Sequence, residues 1–338
     1  MKRVGNLFER LVSFGNLHAA FLAARRGKRR TEEIAAFELD LEPRLLDIRD
    51  RLLAGDYRFG PYRSMHIFDP KPRTIVAAPF ADRVVHHAIC RIIEPVFDPT
   101  FICDSFACRA GKGNLAAVLR LRRFVREVPD GWSLSCDVRK YFQGIEHGKL
   151  VGLLARKLKD GPLLDLIRTL VDGSPVDPAL GPGRGIPIGN LTSQLFANVY
   201  LSPLDHFAKQ ILRLRRYVRY VDDIVVVEPD HERMAAARDT LVAELARVGL
   251  TFHAHRCSIA RVTRGLAFLG YVVSPGPLRV RSDGVHRFVR REHALRRMWN
   301  RGEIDAAGYW SSVDSWTAFA SHADAGGLLR RLGLRGSS

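Results

Sequence analysis

The stretch YVRYVDDIVVVE, residues 217–228, sets two apolar, β-branched runs on either side of an adjacent acidic pair, Asp222-Asp223. Val, Ile and Tyr at this density predict two short strands. A strand interior rejects a pair of carboxylates, whereas a tight turn exposes them and Asp tolerates turn conformations. The reading is therefore a hairpin with its turn at Asp222-Asp223. Two like charges side by side raise each other's pKa unless a cation neutralises them. Carboxylate oxygens suit Mg²⁺, a hard ion. An ordinary acidic hairpin turn would read the same way, so the pair needs a second site to acquire chemical meaning.

LSCDVRKYFQGI, residues 134–145, supplies one. Residues 132–138 read as a strand that carries Asp137 at its end, and Phe142 follows five residues later. In isolation, such an Asp is a cap or turn residue. Two-metal phosphoryl transfer, however, needs carboxylates from separate chain segments, holding ions about 3.5–4 Å apart. Asp137 on one strand end and Asp222 on a neighbouring hairpin meet that need.

The charge of the chain fits a polyanionic partner. Its 338 residues include 53 Lys plus Arg against 36 Asp plus Glu, a formal net charge of +17. Such an excess repels itself unless a polyanion is near, and nucleic acid is the commonest one. Hydrophobic residues make up 46%, enough for a substantial core. The five cysteines (90, 103, 108, 136 and 257) contain no CxxC pair and are odd in number. They argue against a zinc site or disulfide framework and read as reduced, mostly buried thiols of a cytoplasmic protein. Neither a signal peptide nor a membrane-spanning run is visible, so no membrane partner is expected.

Outward from the two acidic sites, residues 1–60 read as basic and helical, with Gly55 stopping the segment that starts at Glu32. Residues 61–80, with four prolines, read as short strands or a hairpin. Residues 81–97, 115–127, 149–171, 192–212 and 232–248 show helical spacing. A loop at 103–113 carries Arg109 and Lys112. Residues 172–189 are loop, 266–273 a strand, and 276–338 an Arg-rich helical tail. Helices and strands do not alternate regularly, which argues for an α+β fold.

Taken together, these segments resemble reverse transcriptases, in order, over about residues 15–325. SCDVRKYFQGIEH (135–147) resembles their first metal-binding palm motif and YVDD (220–223) the second. GIPIGNLTSQLFANVYLSPLDHF (185–207) resembles the loop and helix that support template and nucleotide. FLGYVVSP (268–275) resembles the primer grip. IFDPKPRTIVAAPFADRVVHHA (67–88) and DSFACRAGKG (104–113) resemble fingers motifs.

The resemblance implies a right-hand polymerase with an antiparallel palm sheet flanked by helices. Its parts would be a basic helical extension at 1–60, fingers at 61–130, a palm at 131–275 with a loop at 172–190, and a short helical thumb at 276–338. It implies an RNA-directed DNA polymerase with two Mg²⁺ ions, Mn²⁺ being a substitute. Asp137, Asp222, Asp223 and the Val138 carbonyl would hold the ions. Lys71 and Arg73 would grip the triphosphate, and Arg109, Ile188, Gly189 and Arg256 would complete the substrate site. Phe142 would crowd a ribose 2′-hydroxyl and so favour deoxynucleotides. The partners are a template RNA, an RNA/DNA hybrid and deoxynucleoside triphosphates. The source expected is bacterial or phage-encoded, and the location cytoplasmic.

Two departures refine this. The family's usual Pro-Gln-Gly step is Pro187-Ile188-Gly189 here, and this change, with the segment 188–194, resembles the reverse transcriptases of diversity-generating retroelements. Those enzymes copy RNA with frequent errors at adenines and work with a small basic helical accessory protein. An antiphage-defence, retron or group II intron-like role is the alternative, although the thumb has no clear Val-Thr-Gly triplet and no RNase H, endonuclease or maturase domain is expected after residue 338. Secondly, Arg256 stands where a Lys, as an acid for pyrophosphate, is common, and Arg seldom gives up its proton. His255 could take that role, or simply be a surface His. In the tail, Arg287, Arg290, Arg291, Arg296 and Arg297 fall at spacings that place several on one helix face, to track phosphates or to face solvent.

Overall fold

The computed structural model describes residues 3–68, 72–174 and 181–334; the side chains of residues 65–68 and 72–75 are outside that description. The chain forms two compact units, each assembled from non-contiguous segments.

The first unit comprises Met1–Cys103, Val138–Ile211 and Leu241–His253. It opens with four helices, α1 (Leu7–Val12), α2 (Phe14–Ala24), α3 (Glu32–Leu39) and α4 (Leu41–Ala54), followed by an antiparallel hairpin of β1 (Arg63–Phe68) and β2 (Pro72–Ala77). Gly55 ends α4 in the left-handed region, φ 71°, which glycine enters without steric cost. Helix α5 (Phe80–Phe97) buries Val84, Ala88, Ile89, Ile92 and Ile93, a stripe at three- and four-residue spacing.

The expected helix over 149–171 is two helices, α8 (His147–Ala155) and α9 (Gly161–Asp172). The short helix α7 (Tyr141–Gly144) precedes them. The physical reason for the break is Asp160 followed by Pro162. The proline fits the first turn of a helix but not its interior. The Asp160 carboxylate accepts from Leu163 N at 3.3 Å at the start of α9. It also accepts from Leu7 N at 2.7 Å and Phe8 N at 3.0 Å at the start of α1. Helix α10 (Leu191–His206) is buried on most of its surface, including Phe196, Val199, Tyr200 and Leu201.

The second unit comprises Asp104–Asp137, Leu212–Thr240 and Ala254–Ser338. Its centre is a four-stranded antiparallel sheet in the order β4-β5-β3-β6, with β3 Trp132–Asp137, β4 Tyr217–Tyr220, β5 Asp223–Glu228 and β6 Ser258–Arg261. Helix α6 (Asn114–Glu127) covers it: Leu121, Phe124 and Val125 share one buried cluster with Val218, Val225 and Val227. A second antiparallel sheet, β7 (Leu266–Phe268), β8 (Tyr271–Val273) and β9 (Arg279–Val280), adds Phe268, Tyr271 and Val273 to that cluster. The single strand expected over 266–273 is thus a hairpin turning at Leu269-Gly270. Helix α11 (His231–Arg247) follows β5, and the Arg-rich tail folds into α12 (Ser282–Asn300), α13 (Ala306–Ser321) and α14 (Gly326–Arg331).

The hairpin turn sits one residue earlier than its sequence implies. Tyr220 pairs with Asp223, so Val221 and Asp222 form the turn and Asp223 opens β5. Side chains alternate along a strand, and a one-residue slip would move a whole set to the other face. The observed register keeps Val218, Val225 and Val227 together in the core.

Candidate active site

Two strand registers build the site. Across β3 and β5, Asp137 pairs directly with Asp223, the last pair of their ladder. Opposite residues on antiparallel strands present their side chains to the same face, with Cα atoms about 4.5–5.5 Å apart. Asp222 precedes Asp223 in the turn. On the other side of β3, the β6 ladder ends at Ser135 opposite Ser258. Just before β6, a single helical turn over Ala254–Arg256 carries Arg256, whose guanidinium donates to the Asp137 carboxylate. The sheet therefore collects three carboxylates and one guanidinium at one end.

The charges are not balanced. Burial, then the Asp222 carboxylate, then that of Asp137 push Asp223 up to about 7, while Arg256 opposes the shift. Ionising a carboxyl at about 7 instead of 3.8 costs on the order of 4 kcal/mol. That cost persists with Arg256 in place, so one exposed guanidinium does not neutralise the site. Arg256 is the exposed partner, 59% against 14% for Asp137. Exposed ion pairs hold weakly, by about 0–1 kcal/mol, so a stronger cation can displace it.

Below the turn lies Arg219, fully buried on β4. Its guanidinium donates to the Val221 carbonyl at 3.0 Å. Val221 has φ 54°, a left-handed conformation that a β-branched residue rarely adopts. The contact from Arg219 helps hold the turn that carries Asp222. The Arg219 backbone continues outward: its N–H donates to the Asp104 carbonyl at 2.9 Å and its carbonyl accepts from Phe106 N at 3.1 Å. Arg120 donates to the Asp104 carboxylate at 2.7 Å, and Arg109 to the Ser105 carbonyl at 2.9 Å. Arg109 thus belongs to a loop laced to β4 within the second unit.

The other expected substrate residues lie in the first unit. Val138 is buried and bridges Phe252. Phe142, half-buried on α7, packs against Tyr141 with ring centroids 5.6 Å apart. Its carbonyl accepts from Ile186 N at 2.9 Å, so the segment carrying Phe142 is tied to the loop leading to Ile188 and Gly189. Ile188 is 41% exposed. Gly189 has φ 115°, open only to glycine without strain, and Asn190 after it donates to the Tyr62 hydroxyl at 2.9 Å. Lys71 lies outside the described residues; of Arg73, only its backbone place in β2, opposite Ile67, is described. His255 is exposed, and in the tail all five expected arginines of α12 are exposed, with Arg287 on Asp283 and Arg296 on Glu292.

Among the described residues, no three His, Cys, Asp or Glu side chains are already drawn together as a metal cage. The donor types nevertheless suit a divalent cation: carboxylate oxygens only, supplied by two strands and a turn, with one carboxyl forced up by burial and by its like-charged neighbours. Sequence reasoning missed Arg219, a charge lost to view inside an apolar strand. It missed β6, four residues of weak alternation. It also missed the juxtaposition of Cys136 and Cys257, whose sulfurs are 3.0 Å apart. Nor are the thiols mostly buried: Cys90 and Cys136 are, Cys103 and Cys108 are exposed, and Cys257 is intermediate. No helix of the described residues is long and apolar enough to cross a membrane.

The chain is similar to several known proteins. YkfC of Escherichia coli (strain K12) is 23% identical over 264 residues, 66% of this chain and 69% of that protein. The group II intron-encoded protein LtrA of Lactococcus lactis is 27% identical over 175 residues, 50% of this chain but only 29% of LtrA. The putative COX1/OXI3 intron 1 protein of Saccharomyces cerevisiae is 23% identical over 318 residues, covering 77% of this chain and 38% of that one. Among solved structures, telomerase from Candida albicans, in complex with a fragment of telomeric RNA, shares the fold with TM-score 0.50 at 12% identity, over 68% of this chain and 48% of the telomerase chain. The family model for reverse transcriptase (RNA-dependent DNA polymerase) matches residues 68–273. Well over half of the sequence falls within that match, and the chain belongs to the reverse transcriptase family.

Proposed function

We propose that this chain copies a template RNA into DNA at the carboxylates of Asp137, Asp222 and Asp223. The observation that carries this reading is the register of β3 and β5, which pairs Asp137 with Asp223 beside the Asp222 turn. The three carboxylates, with the Val138 carbonyl, would hold two Mg²⁺ ions, or Mn²⁺ in their place. When bound, such ions supply Lewis acidity at the attacking and leaving oxygens of nucleotidyl transfer.

The chain's own residues do the rest. Arg256 releases Asp137 as the site fills and turns its charge toward the triphosphate. Lys71 and Arg73 grip the same triphosphate, where paired cations offset developing charge. Arg109 steadies the substrate from its loop beside β4. Phe142 excludes a 2′-hydroxyl by crowding, and Gly189 lets the backbone approach the nascent pair. The exposed arginines of α12 follow the phosphates of an RNA/DNA hybrid. In this reading residues 61–130 act as fingers, 131–275 as palm with its loop at 172–190, and 276–338 as thumb, after an extension at 1–60.

The biological role we propose is error-prone copying in a diversity-generating retroelement, alongside a small basic helical accessory protein. Ile188 supports it. An apolar, partly exposed side chain stands where the family's amide would hydrogen-bond, and a site with fewer polar constraints discriminates less. The second reading is a group II intron-like element, favoured by the relation to LtrA and the yeast intron protein. Sequencing the cDNA made from a defined RNA separates the two. Errors concentrated at template adenines support the first. Faithful copies support the second, and no RNA-templated product contradicts both.

A further inference from the structure

Directly behind the carboxylates, Cys136 and Cys257 form a second chemical feature of the same sheet. The β3–β6 ladder ends with Ser135 opposite Ser258. Cys136 and Cys257 are the residues immediately beyond that last pair, and their Sγ atoms are 3.0 Å apart. A disulfide needs Cα atoms about 4.4–6.8 Å apart and an S–S bond of about 2.05 Å. The sulfurs, already in contact, need close by only about 1 Å to bond. The cysteines are 121 residues apart in sequence, so this contact is a product of the fold. Cys136 is buried, while Cys257, of intermediate exposure, is the one an oxidant reaches.

We propose that Cys136 and Cys257 are an oxidation site whose disulfide locks Arg256 across Asp137 and so closes the candidate cation site. The consequence for activity rests on the polymerase reading above; the cross-link itself does not.

The steps balance with a peroxide as two-electron oxidant. The Cys257 sulfur attacks one peroxide oxygen, breaking the O–O bond, and becomes a sulfenic acid while one water leaves. The Cys136 sulfur then attacks the Cys257 sulfur, the S–O bond breaks, and the hydroxyl departs as a second water with the Cys136 proton. Two thiols are oxidised and one peroxide is reduced to two waters.

The effect on the site follows from strand alternation. Cys136 and Asp137 are consecutive on β3 and point to opposite faces. Joining Cys257 to Cys136 tethers the backbone next to Arg256, and with it the turn over Ala254–Arg256, beside Asp137. In the reduced chain that ion pair is exposed on its Arg256 side and exchangeable; in the oxidised chain it lies beside a covalent link between two distant segments. Mg²⁺ would then have to compete with a guanidinium whose backbone is held next to Asp137.

The test compares the chain before and after hydrogen peroxide, with dithiothreitol reversal, beside Cys257→Ser. Non-reducing peptide mass spectrometry should find the peptide of Cys136 joined to that of Cys257, two hydrogens lighter, as the main linkage. Hydrogen exchange at residues 254–257 should slow in the oxidised chain, a readout independent of catalysis. RNA-templated primer extension should fall about tenfold or more and return with dithiothreitol. Cys257→Ser should extend primers within about twofold of the reduced wild type and ignore peroxide. The proposal is overturned if linkage falls on other cysteines, if exchange at 254–257 is unchanged, or if the linked chain keeps its activity. A reduced chain that never extends a primer, yet forms the link and slows exchange, refutes the polymerase reading and leaves the lock supported.

Discussion

Asp137 and Asp223 face each other across the final rung of the β3–β5 ladder, and Arg256 meets Asp137 from the other side. A strand end thus presents opposed carboxylates with a removable cation between them and solvent. This one relationship sets the electrostatics of the acidic end of the sheet.

Asp223→Asn should stabilise the chain in the presence of chelator. The folded carboxyl titrates at about 7 against 3.8 for an unperturbed one. Between those values the folded state holds a proton that the unfolded state has lost, so this group's contribution to stability falls as pH rises through the window. Below about 3.8 the two states are protonated alike and the variant gains nothing from this source. Above about 7 the gain is complete, at most on the order of 4 kcal/mol. Melting curves at pH 4, 6 and 8 check it; a gain largest at pH 4 contradicts the charge argument.

Arg256→Gln should make the site more responsive to Mg²⁺. The guanidinium competes for Asp137, and an exposed pair contributes about 0–1 kcal/mol, so the Mg²⁺ concentration at half-maximal stabilisation should fall by about threefold. Thermal shift against Mg²⁺ measures it. A midpoint moved upward would show that Arg256 helps to hold the ion.

Arg219→Leu should loosen the acidic turn. It removes the bond to the Val221 carbonyl, and leaving a buried acceptor without its donor costs about 1–3 kcal/mol. Denaturant unfolding reads the loss. Arg219→Lys should recover only part, since an ammonium lacks the planar donor set. Unchanged stability in the Leu variant would mean that the turn holds itself.

Phe142→Val should admit ribonucleotides. If the ring crowds the 2′-hydroxyl, trimming it should raise ribonucleotide over deoxynucleotide incorporation by about tenfold, the scale a reshaped apolar contact commands. Ile188→Gln should lower errors at template adenines by a similar factor. Single-nucleotide extension on RNA templates reads both. An unchanged sugar preference would return Phe142 to packing, and an unchanged error spectrum would remove Ile188 from fidelity.

Much of this was legible in the sequence because the signals are local. Residues 217–228 announce a hairpin through β-branched runs, residues 132–137 a strand ending in Asp137, and Gly55 a helix end. The remainder depends on long-range pairing. The turn fell at Val221-Asp222 instead of Asp222-Asp223, since the core contacts of Val218 and Val225 choose the register. The break before α9 depended on Asp160, which also caps α1 about 150 residues away. Strand β6 has too little alternation to read alone, yet its pairing with β3 brings Arg256 to Asp137 and Cys257 to Cys136.

RNA-templated primer extension by wild type beside Asp222→Asn, with Mg²⁺ and deoxynucleoside triphosphates, meets the account head on. The wild type should lengthen the primer, and the variant should lose at least about a thousandfold in rate, as removal of a metal-holding carboxylate implies, while folding as well as the parent by circular dichroism. Extension by the variant at near wild-type rate would contradict it.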